Sequence, residues 1–153
     1  MGWRRRVAVL AAAVWWGSLG AIGFMAVPLL FAHLPTPALA GQTAAKLFAA
    51  QAWVGVGCGA MLLLASREEG EAPRLDWAGG AVVFVLAGLL LALVLEFAVA
   101  PRILARHDLR LWHTAGSAMY VLQWVCALVV LLKVTGEAPA EAGHSREGGP
   151  PRG

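Results

Sequence analysis

The stretch FMAVPLLFA, Phe24–Ala32, sets a proline inside an unbroken apolar run, and FAVAPRILA, Phe97–Ala105, repeats the arrangement 73 residues later. In both, phenylalanine precedes proline by four positions. Proline gives no amide hydrogen to the carbonyl four residues back, here Phe24 or Phe97, so Pro28 and Pro101 are expected to kink or end their helices. The surroundings say which kind of helix. From Val7 to Ala45 there is no Asp, Glu, Lys or Arg, and three more uncharged runs follow, Leu47–Ser66, Trp77–Leu95 and Leu111–Leu132. Each is close to the roughly 20 residues that carry a helix across a bilayer. With 59% hydrophobic and only 14% charged residues among 153, the chain leaves few polar faces for water. The expected fold is all-α, a four-helix transmembrane bundle with spans near residues 7–31, 44–66, 77–100 and 111–133. The first run exceeds one crossing and falls short of two, so an apolar outer loop, HLPTPALAG, is expected after the first helix.

A signal peptide competes for the first segment, because Arg4, Arg5 and Arg6 precede it and Ala38–Ala40 resembles a cleavage site. Its apolar part is longer than the roughly 7–15 residues of a signal core and holds Trp15 and Trp16, which favours a retained helix. Near the helix ends, Arg4–Arg6, Arg67, Arg74, Lys133, Arg146 and Arg152 lie on one side, against Lys46, Arg102, Arg106 and Arg110 on the other. Eight against four places both termini in the cytoplasm, as expected for a multi-pass protein of a plasma or inner membrane. The net charge of +3 comes with no nucleic-acid motif. Residues 1–6 form a basic flank, and 135–153, rich in Gly, Pro, Glu and Ala, read as a disordered tail in which His144 is solvated.

The two proline echoes suggest two tandem helical hairpins in one orientation, with a fainter echo between GCGAMLLL at Gly57 and VCALVVLL at Val125. Small residues that let helices approach in lipid occur at Gly17, Gly20 and Gly23, at Gly55 and Gly59, and at Gly88 and Ala92. A tight bundle is the simpler use for them, and self-association or a membrane partner the other.

Polar landmarks then suggest a family. FAHLPTPALAGQTAAKLF, with Phe31, Leu34, Pro35, Gly41, Lys46, Leu47 and Phe48, is followed by Gly57 and Cys58; later come the pair Pro101–Arg102 and WHTAGS, with His113 and Ser117. Over about Val7–Lys133 this resembles transmembrane protein 205 and its bacterial relatives, a domain of unknown function (DUF4149). The resemblance implies a four-helix integral membrane protein and no established reaction. His33 and Glu96 are not landmarks of that pattern and inherit no role.

Helix four carries the best constellation of polar residues. At 100° per residue, His113, Gly116, Ser117, Tyr120, Gln123 and Trp124 fall on one broad face expected to point inward. Ionisable groups in spans are costly, so Glu96 is the natural partner for His113, either as a ligand or proton site or as a clamp between helices. If helix three continues past Pro101, then Arg102, Arg106 and Arg110 make a basic stripe beside His107. Such a stripe, with Lys46, suits lipid phosphates or an anionic solute, although snorkelling explains it more simply. Cys58 and Cys126 stand at similar depth without a CxxC, and no spacing supports a metal site. The redox alternative is haem or quinone, with His33 and His113 as the histidines near one depth. With no catalytic or nucleotide motif, the expectation is a non-enzymatic solute-handling, lipid-contacting or accessory protein rather than a catalyst, with a structural partner subunit as a further alternative.

Overall fold

The computed structural model describes residues 2–66, 80–105 and 108–136. Four helices account for them: α1 (Trp3–His33), α2 (Pro37–Ala65), α3 (Ala81–Leu104) and α4 (Leu109–Gly136). All four are long and apolar enough to cross a membrane, at roughly 36 to 46 Å. No strand occurs among the described residues. Consecutive helices pack side by side and α4 closes back on α1, so the bundle runs up and down with both termini at one end.

The helices exceed the sequence-based spans at several ends, for local reasons. The outer loop shrinks to Leu34–Thr36, and α2 starts at Pro37 rather than near residue 44. Extended Thr36 caps it, its hydroxyl accepting from the Leu39 amide at 3.2 Å, and Pro37 fits the first turn, where no amide hydrogen is required. Gly80, in the left-handed region at φ 90°, precedes α3. At the far end α4 runs through Thr135 and Gly136, where the tail was expected to begin; residues 137–153, with His144, lie outside the described residues, as do 67–79.

Neither proline ends its helix. In α1 a π turn spans Ala21–Ala26 and in α3 another spans Leu95–Val99, each just before its proline. The Val27 amide donates to the Ile22 carbonyl and the Ala100 amide to that of Leu95, five residues back in both cases. A wider turn eases the crowding between a proline ring and the carbonyl four residues earlier. The sequence echo is thus an echo of backbone geometry.

The two halves of the bundle are filled differently. Toward the termini, Ala8, Ala11, Ala12, Leu19, Leu62, Val85 and Val130 form a closed core around Trp15, which is fully buried. The indole fits because its neighbours are glycines: a methyl on Gly88 would fall 2.7 Å from Trp15 Cη2, and one on Gly55 3.1 Å from Nε1. Gly59 similarly makes room for Leu89. The small faces of α2 and α3 are therefore occupied inside the bundle. Gly88→Ala is expected to cost about 1–3 kcal/mol by forcing the rigid indole aside. Gly17→Ala, with nothing within 4 Å, is expected to be neutral or to gain up to about 1 kcal/mol. Thermal unfolding in detergent followed by circular dichroism checks both.

Candidate functional site

Past its π turn α1 remains against α2 but parts from α4, whereas its first segment packs along α4. The half of the bundle beyond the Trp15 core consequently holds a cavity of about 350 Å³ lined by all four helices. Among its lining residues the exposed ones are Phe24 on α1 and His113, Ser117 and Val121 on α4. The mouth therefore opens sideways between those two helices.

The floor lies at mid-span and is polar. Gln51 is 14 residues from either end of α2, Ser18 is 15 from either end of α1, and Gln123 stands at the middle of α4. Both glutamines are 2% exposed and both line the cavity. Gln51 Nε2 donates to Ser18 Oγ at 2.9 Å, and Ser18 Oγ donates to the Trp15 carbonyl at 3.1 Å. Gln51 Oε1 is buried without a partner among the described residues. The single Ser18 hydroxyl hydrogen is already given to the Trp15 carbonyl, so Ser18 Oγ can only accept from Gln51, and the amide oxygen is the atom left over.

Aromatic rings make the walls. Phe24 stands edge-on to Trp124 with centroids 5.5 Å apart, and Phe48 edge-on to Tyr120 at 5.0 Å. The Tyr120 hydroxyl crosses between helices to donate to the Leu19 carbonyl at 2.9 Å, while its ring occupies the space that a side chain at Gly23 would need.

Of the α4 face expected to point inward, Gly116, Tyr120 and Gln123 do so, half-buried Trp124 packs on Trp16 and Phe24 outside the cavity lining, and His113 and Ser117 line the cavity from its exposed rim. Ser117 Oγ donates to the His113 carbonyl at 2.9 Å, a bond within its own helix. Glu96, on the π turn of α3, lines the same cavity as His113, and no ion pair or hydrogen bond joins their side chains among the described residues. Arg102 and Arg110 stand on different helices. Helix α3 stops at Leu104, so Arg110 belongs to α4, and Arg106 and His107 lie outside the described residues. Arg102 donates to the Ala98 carbonyl at 2.6 Å and lies 4.6 Å over the Trp112 ring. Lys46 is exposed and outside the cavity lining.

Gln51 and Ser18 escaped the sequence reading. A signal existed: Gln51 is the only Asn or Gln between Leu47 and Ser66, and it precedes Gln123 by 72 residues, nearly the 73 that separate the two proline motifs. The glutamines, rather than the cysteines, continue the echo from α1 and α3 into α2 and α4. Cys58 and Cys126 are both buried as free thiols, and neither lines the cavity. A bis-histidine haem does not fit, because exposed His33 keeps Nδ1 3.0 Å from the Leu29 carbonyl and is not part of the lining, which leaves His113 as the one histidine there among the described residues.

The family model for the domain of unknown function DUF4149 matches residues 10–111. The chain belongs to the DUF4149 family. No curated protein and no solved structure matches it. The DUF4149 match takes in Ser18, Gln51 and Glu96 and ends just before His113, so the α4 wall lies beyond it. Together with four apolar helices of spanning length, it makes the chain a multi-pass integral membrane protein. Removing the hydroxyl that joins α4 to α1 in this DUF4149 protein, by Tyr120→Phe, is expected to cost about 0.5–1.5 kcal/mol, measured as a lower unfolding midpoint in detergent.

Proposed function

We propose that the protein is a non-enzymatic solute-handling membrane protein that takes a small, largely apolar molecule with a hydrogen-bonding head group from the lipid phase into the cavity between α1 and α4. The observation that carries this reading is the unpaired Gln51 Oε1, buried at mid-span beneath an opening that faces sideways. A buried acceptor without a donor costs about 1–3 kcal/mol, which a ligand that supplies one would recover. Apolar and aromatic walls over a few convergent polar groups are the usual make-up of small-molecule sites. The cavity volume suits a ligand of one ring and a short chain rather than a phospholipid. We also infer that both termini face the cytoplasm, on the eight-to-four balance of Lys and Arg near the helix ends.

Phenylbutanol is a suitable probe. In phosphatidylcholine nanodiscs it is expected to change the intrinsic tryptophan fluorescence saturably, since Phe24 in the cavity wall rests on Trp124. Ser117→Trp, which places an indole in the mouth, should weaken binding by about tenfold or more, a loss of about 1.4 kcal/mol. A linear, non-saturating response, equal in the variant, would show partition into lipid and overturn the reading. A C-terminal alkaline phosphatase fusion is expected to be inactive and a fluorescent-protein fusion bright, and the reverse pattern would invert the topology.

A further inference from the structure

Glu96 is partly buried on the π turn of α3, eight residues from the end of that helix, and it faces the cavity. An acidic side chain in a span is costly to insert, by about 2.5–3.5 kcal/mol at a helix centre, and usually meets a partner or a functional ligand. None of the described residues pairs with it. Among the described residues the nearby cations are placed elsewhere: Arg102 lies over Trp112, Lys46 is exposed outside the lining, and His113 stands on the exposed rim without an ion pair. Gln51 Oε1 is a second acceptor in the cavity that has no partner among the described residues, so both call for hydrogen-bond donors. Phe24, Phe48 and Tyr120 add ring surfaces, and a cation near such faces gains from their quadrupoles.

Resting on the binding reading above, we infer that the cavity selects amphipathic cations, organic amines in their protonated form, with Glu96 as the counter-charge. An ammonium offers three donors and no acceptor, which matches the unpaired carboxylate and amide oxygen, whereas an anionic head would meet Glu96 as a like charge. The aromatic or aliphatic body of the amine fills the space between Phe24 and Phe48.

Three molecules of one skeleton separate head-group charge from shape: phenylbutylamine, phenylbutanol and phenylbutyrate. In zwitterionic phosphatidylcholine nanodiscs at neutral pH, with the Ser117→Trp variant as the baseline for lipid partition, the amine is expected to bind about tenfold tighter than the alcohol, and the carboxylate weakest. The readout is the ratio of affinities. Glu96→Gln should bring the amine-to-alcohol ratio to about one, and Glu96→Asp, which retains the charge, should preserve most of the preference. Saturable binding of the alcohol with no preference for the amine, or a preference that survives Glu96→Gln, would overturn cation selection and leave the cavity reading standing. Failure of all three to saturate would overturn both.

Discussion

The bundle depends on one steric fit, the Trp15 indole laid between Gly55 of α2 and Gly88 of α3. In lipid no hydrophobic force pulls helices together, so close contact has to come from shape, and glycine lets a large ring reach the neighbouring backbone. Trp15 stands on α1 yet touches α2 and α3, and Cys126 of α4 lies beside Gly88. One ring thereby fixes the spacing of the terminal half. Around it alanines, leucines and valines close the core without polar atoms. The arrangement leaves Trp15 Nε1 buried without an acceptor, a local cost set against the packing.

Beyond that ring α1 stays on α2 and α3 on α4, but α1 no longer packs along α4. The π turn in α1 comes where α1 parts from α4, and the second π turn puts Glu96 on the wall opposite the widened gap. Prolines placed one turn later hold the wider geometry, since the missing amide hydrogen at Pro28 and Pro101 removes the bond that a regular α register would restore. The glycine fit around Trp15 makes one half tight, and the π turns accompany the widening of the other. The polar floor lies at the boundary between them, where Ser18 and Gln51 bond to each other and the Gln51 oxygen is left over.

Much of this was legible in the residues. Charge-free runs gave four helices, and the proline echo marked the places where the helices change. Of the six α4 residues that helical spacing put on one inward face, Gly116, Tyr120 and Gln123 do point inward, because rotation per residue is a local property. Other expectations failed where a local rule met a neighbour. Arg102 and Arg110 would share a stripe only on one continuous helix, and α3 stops at Leu104 while Arg110 belongs to α4. HLPTPALAG reads as a loop from its prolines, but Thr36 and Pro37 together make a helix start. Gln51 carried no expectation, because its place opposite Ser18 depends on how α2 rotates against α1.

By itself the sequence determined the class, the number of spans, the double proline motif and the polar stripe of α4, because these depend on composition and on spacing along one chain. Tertiary structure alone decided that Trp15 meets Gly55 and Gly88, that α1 parts from α4, and that Ser18, Gln51, Glu96 and Gln123 surround one cavity. The reason is rotational. Outside the polar stripe of α4, helices apolar on nearly all sides carry almost no signal of which side faces inward, so their orientation is set by the fit of large side chains against glycines on their neighbours.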